Sequence, residues 1–207
     1  MAVSSLSELE AVFSQIPDPR KARGVRHPFS GIVSLVFLGL LGRITEMAVV
    51  VRWAKAHWEE LKEPLGFTRE KPPCDTTISR ALAGLSLSEF RQAFTVWLNG
   101  ELPSRESRYF VTNLDPESVT ASDLQAYIRG HWQVENCLHF VKDRWWDEDR
   151  HYTKRPGLAE AFASLTNAAL AVLRLIHPPG SPLRATAETI QWRPASILSR
   201  LGFQPAR

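Results

Sequence analysis

Gly31–Gly42, read GIVSLVFLGLLG, is the most apolar run in the chain. A bilayer-crossing helix takes about 20 apolar residues, so this run is too short to span and fits a helix buried in a protein core. Pro28 precedes it and Ser30 is a candidate cap, so the expected helix runs from Ser30 to about Leu41.

Upstream, Ser7–Gln15 reads as a short helix with Leu9, Val12, Phe13 and Ile16 on one side. Between the two helices lies IPDPRKARGVRHP (Ile16–Pro28), where three prolines exclude continuous helix and leave an irregular basic linker. Downstream, Thr45 is expected to cap a helix from Glu46 to about Leu61, with Val49, Trp53, Ala56 and Leu61 inward.

Pro64–Gly100 contains a helix-turn-helix candidate. Asp75 is expected to cap a helix from Thr76 to Ala83, and Gly84 to end it. Ser86 or Ser88 then caps a helix carrying Phe90, Phe94, Trp97 and Leu98. Thr76, Thr77, Ser79 and Arg80 are short polar or cationic residues of the kind a DNA-reading helix exposes. A plain helical hairpin that supports the fold is the other reading, and it is the commoner use of paired caps.

In the second half, SRYFVTNL (Ser107–Leu114) is the one strand-like segment. Thr120 or Ser122 begins a helix expected over Ala121–Lys142. Trp145–Gly157 reads as a loop, Leu158–Leu175 as a strong amphipathic helix, and Pro194–Leu201 as a short terminal one.

A hydrophobic fraction of 44% with 10% aromatics argues for a folded chain rather than a disordered one. The net charge of +3 and pI of about 9.1 permit nucleic-acid binding without demanding it. Clustering matters more. Arg20, Lys21, Arg23, Arg26 and His27 sit together in the linker, where they would hold duplex phosphate or simply be solvated. A second basic cluster, Lys142–Arg155, is mixed with Asp143, Asp147, Glu148 and Asp149, so its field largely cancels. Cys74 and Cys137 are too few for a disulfide framework and too far apart for a metal knuckle, which fits a reducing cytoplasm. The N-terminal MAVSSLSELEAVFSQ has no basic n-region, so no signal peptide and no membrane partner are expected.

Tyr127–Lys142, YIRGHWQVENCLHFVK, places one acid, Glu135, in a helical pattern rich in Arg, His and Trp. Tyr127, Val134, Leu138 and Val141 mark its apolar face, with Arg129 and His131 upstream of Glu135 and Lys142 two turns beyond. A carboxylate among cations suits metal-dependent phosphoryl chemistry, but that chemistry needs two or three acids. A zinc reading of His131, Cys137 and His139 lacks a fourth ligand, and the histidines are two turns apart. Trp145 and Trp146, beside Arg144 and Arg150, would either stack on unpaired bases or anchor the loop.

RGHWQVEN followed by LHFVKDRWWDEDRH resembles the catalytic-helix block of bacterial insertion-sequence transposases of the DDE type. The resemblance is to the branch of H-repeat-associated, Rhs-linked proteins. IPDPRKARGVRHPFSGIVSLVFLGLLG, VVVRWAKAHWEEL and TTISRALAGLS resemble the helical segment before the nuclease domain of the same branch. The resemblance makes Glu135 the third acid of the family triad, and Glu135 and Lys142 keep its glutamate-to-lysine gap. It also implies that two aspartates, on strands of a ribonuclease-H-like sheet, should precede Glu135. Here Gly100 runs within a few residues into SRYFVTNLDPES, which resembles the last stretch before the glutamate helix, and Asp115 matches neither aspartate. The chain thus reads as internally deleted, joined near Glu101–Glu106.

These readings give a mainly α fold. Residues 1–100 would form an N-terminal helical domain, and residues 101–207 a helical remnant of a ribonuclease-H-like domain with one short strand. The C-terminal helices, without their sheet, would pack on the N-terminal ones, self-associate or stay partly molten. The expected function is that of a transposase-family protein that binds DNA at element ends but does not cleave it. Arg20, Lys21, Arg23, Arg26, Thr76, Thr77, Arg80, Arg129, His131, Lys142 and Arg144 are the DNA-contact candidates. Intact family members use Mg2+, which the orphaned Glu135 would hold only weakly. Self-association, or mixed oligomers with an intact transposase, is the protein partnership implied. Two alternatives remain open: a minimal nuclease built from Glu135 with Asp143–Asp149, and an interaction module or relic without DNA affinity.

Overall fold

The structure, a computed structural model, describes residues 9–21, 23, 25–101, 119–120, 122–124, 126, 155–178 and 181–204. Met1–Glu101 and His151–Arg207 form one compact unit, and Leu102–Arg150 a second. The helices of the first unit are α1 (Leu9–Ser14), α2 (Phe29–Leu41), α3 (Met47–Ala56), α4 (Trp58–Leu61), α5 (Asp75–Ala83) and α6 (Leu87–Glu101). They continue as α7 (Leu158–Ile176), α8 (Leu183–Trp192) and α9 (Ala195–Leu198), with a 3-10 turn at Ser199–Leu201. No strand occurs among the described residues, so the fold is mainly α. The strand-like Ser107–Leu114 lies outside them.

The apolar run becomes the central helix. In α2 only Ser30 is less than fully buried, so the helix presents no polar face to water and must be covered on every side. Helices α1, α3, α5, α7 and α8 supply that cover. An aromatic cluster packs beside α2 at Phe37. Phe13 meets Phe37 edge-on at 5.0 Å and stacks near Phe90 (6.5 Å) and Phe203 (6.4 Å). The row continues along α6 through Phe94 to Trp97. Near the C-terminal end of α2, where Gly42 meets Gln191, Trp53 Nε1 donates to the Gln191 carbonyl at 2.7 Å, tying α3 to α8.

Helix α7 is long and apolar enough to cross a membrane by length and composition alone. Its apolar side is used inside the protein: Leu165, Ala169, Val172 and Leu173 are buried, and α7 packs on α2, α5, α6 and α8. Of the three fates open to the C-terminal helices, α7 therefore takes the first and packs on the N-terminal ones. Gly157, which starts α7 in the left-handed region (φ 75), permits this approach. A Cβ there would stand 2.5 Å from the Ala83 carbonyl at the end of α5.

Several local expectations need correction, among them Ala56, which is exposed rather than inward. Helix α2 begins one residue before Ser30, because Pro28 is extended (φ −62, ψ 141) and Phe29 is already helical. The helix expected from Glu46 to Leu61 is broken at His57, and Glu46 rather than Thr45 is its N-terminal flank. The break lets its two tryptophans serve different neighbours: Trp53 meets α8 and Trp58 meets Phe67 (5.0 Å). Helix α8 was not expected from the sequence. Its stripe of fully buried side chains is only Ala187 and Ile190, too thin to announce a helix after a proline-rich break.

In the second unit, residues 122–124 and 126 are helical. Thr120 is the cap: its hydroxyl accepts from the Asp123 N–H at 3.2 Å, and its own N–H donates to the Asp123 carboxylate at 3.0 Å.

Candidate nucleic-acid interface

The linker before α2 is held by one of its own cations. Arg20 grips Asp18 through Nε (2.8 Å) and a terminal nitrogen (2.8 Å), while the Arg20 N–H donates to the same carboxylate. That terminal nitrogen also donates to the His27 carbonyl at 2.8 Å, and the guanidinium lies 5.7 Å from the Phe29 ring centre. The Arg20 hydrogen bonds hold the Asp18 carboxyl below its ordinary range. With its side chain only 18% exposed, Arg20 fastens the linker; Lys21, Arg23 and Arg26 are exposed.

A second segment, between α4 and α5, lies beside the end of the linker. Phe67 is buried and meets His27 edge-on at 5.7 Å. Trp58 Nε1 donates to the Arg69 carbonyl at 3.1 Å, and Lys62 pairs with Glu70 at 3.1 Å. Arg69 and Lys71 are exposed. His27 Nδ1 is buried without a hydrogen-bond partner among the described residues. Burial, then the charges of Arg69, Arg20 and Arg26, push the His27 pKa down, so the ring is neutral near pH 7.

The linker also touches the turn after α5, where a Cβ on Gly84 would stand 2.9 Å from Pro19. In α5, Ile78, Ala81 and Leu82 face the core. Thr76 and Arg80 are exposed, and Thr77 and Ser79 are half-buried. Cys74, not Asp75, occupies the N-cap. The Thr76 and Thr77 hydroxyls each lie 3.2 Å from Cys74 Sγ, and with the Thr77 N–H they lower the thiol to about 7. Both hydroxyls are thus already engaged, and the Asp75 carboxylate accepts the Thr76 N–H at 2.6 Å. That leaves Arg80 as the exposed cation of the expected reading face. The turn Gly84–Ser86 joins α5 to α6, with Ser86 immediately before α6.

The first-unit candidates thus divide. Lys21, Arg23 and Arg26 share the linker with the inward Arg20, while Thr76, Thr77 and Arg80 share α5. Arg69 escaped the sequence reading. Its signal, the charged TREK between Phe67 and Pro72, looks like any solvated loop until the Phe67–His27 contact sets it beside the linker. Arg129, His131, Glu135, Lys142, Arg144 and Asp143–Asp149 lie outside the described residues. Among the described residues no group of three His, Cys, Asp or Glu side chains could hold a metal ion. No metal-dependent step is assigned to them.

Residues 10–98, which carry most of α1, all of α2 to α5, most of α6 and the exposed cations of the linker, match the DDE_Tnp_1-associated family. Two proteins of Escherichia coli (strain K12), the H repeat-associated putative transposase YhhI and the protein YbfL, are each 34% identical over 71 residues. Those alignments cover 34% of this chain and 18% of each relative. No solved structure matches the chain. The matches therefore relate this chain to transposases and the domains associated with them.

Proposed function

We propose that the chain is a transposition-related protein that binds duplex DNA through its helical first unit and does not cut it. The observation that carries this reading is the gathering of exposed cations on a fastened linker, inside the region that matches the transposase-associated family. Lys21, Arg23 and Arg26 supply sequence-blind phosphate contacts, and Arg80 on α5 reaches the same duplex. Arg20 acts by shaping the linker. In this reading Glu135 is the orphaned third acid, and Arg129, His131, Lys142 and Arg144 are its cationic neighbours. A lone carboxylate holds magnesium too weakly to position an attacking water. Element-end DNA is the proposed partner, and an intact transposase of the same family a second one through mixed oligomers.

The test is an incubation of labelled element-end DNA with the full chain, in magnesium or manganese. Retarded but uncut DNA is expected. Cleavage that disappears in Glu135→Gln would overturn the reading in favour of a nuclease. Absence of any binding would favour an interaction module instead.

A further inference from the structure

We infer that Arg26 and Arg69 together form a two-pronged contact for the phosphate backbone of duplex DNA, assembled across the linker and the segment between α4 and α5. This rests on the reading that the first unit binds DNA, and it adds a residue from a different part of the chain. Three observations carry it.

The backbone is fastened on both sides. The Arg20 guanidinium holds the His27 carbonyl next to Arg26, Trp58 Nε1 holds the Arg69 carbonyl itself, and the Phe67–His27 ring contact joins the two segments. Both prongs thus stand on positioned backbone, so less ordering entropy is lost on binding. The two cations are also uncommitted. Arg20 and Lys62 each have a carboxylate partner, whereas Arg26 and Arg69 are exposed and have none among the described residues. Finally, cations gather around the His27 ring. His27 has a buried, unpartnered Nδ1 and feels the charges of Arg69, Arg20 and Arg26, while the nearby acids Asp18 and Glu70 are each paired with another cation, so the local potential is net positive. Guanidinium forks suit phosphodiester oxygens, and a phosphate group is the anion such a pair selects.

The experiment measures affinity of the full chain for a labelled duplex of arbitrary sequence, from about 50 to 200 mM salt. Wild type, Arg26→Ala, Arg69→Ala, the double variant and Arg69→Glu are compared, with thermal melts run on each. Each alanine should reduce the slope of log affinity against log salt by about 1, and the double variant by about 2, with melts unchanged. Arg69→Glu should bind more weakly than Arg69→Ala. Slopes equal to wild type in both single variants, with melts intact, would overturn the contact while leaving DNA binding by the unit standing. A wild type that binds no duplex would overturn both. Competition by inorganic phosphate at concentrations that leave the ionic strength unchanged would also overturn it, because the pair would then be a small-anion site.

Discussion

In Phe29–Leu41 every side chain except that of Ser30 is buried, whereas in Pro17–His27, immediately before it, the described residues are exposed or half-buried. The helix carries only two polar side chains, Ser30 and Ser34, and depends on five neighbouring helices for cover. The linker has little apolar cover, chiefly at Pro19 and His27, and depends on Arg20 for the hydrogen bonds that shape it. The lesson is that position is fixed by packing in one region and by directional hydrogen bonds in the other. Mutations should therefore fail in different ways on the two sides of Pro28.

The largest break should come at Phe37, which is fully buried against Phe13. Phe37→Ala should cost about 3–5 kcal/mol, read by chemical denaturation, because the aromatic cluster cannot collapse around the hole. A cost below about 1 kcal/mol would mean that α2 is not the packed centre.

On the linker side, Arg20→Ala should cost about 1–2 kcal/mol, since charge-assisted hydrogen bonds to Asp18 and the His27 carbonyl are lost together. Arg26→Ala, one residue before His27, should stay within about 0.5 kcal/mol of wild type. Equal costs would erase the distinction between the fastening arginine and the exposed one.

The subtlest test is pH. His27 in the folded chain has a pKa below its ordinary 6.5, so the unfolded chain takes up the proton first as pH falls. Stability should be full above about pH 6.5 and decline as acid is added through and below that value. His27→Asn should flatten the decline. A stability that rises on acidification through this range would mean the ring has an anionic partner.

How much of this was legible in sequence follows the same division. The run Gly31–Gly42 announced a buried helix because it contains almost nothing that water could hold. Leu158–Leu175 announced itself by a broad apolar stripe, and its observed end is one residue later, at Ile176. Helix α8 stayed hidden because two fully buried side chains make no period. The break at His57 was invisible because it follows from what Trp53 and Trp58 meet, not from a Gly or Pro. Of the candidate interface, the linker cations could be read directly as a cluster. The inward turn of Arg20 and the nearness of Arg69 could not, since both depend on contacts made only when the chain folds. Glu135 and its surrounding cations lie outside the described residues, so that part of the sequence reading stands as a proposal.

The most direct measurement is the affinity of the unaltered chain for duplex DNA across a salt series. If Lys21, Arg23, Arg26 and Arg69 each reach a phosphate, log affinity should fall against log salt with a slope of roughly −3 to −4. Absent binding, or an affinity indifferent to salt, would contradict the claim that the outward side of this linker is a DNA-binding surface.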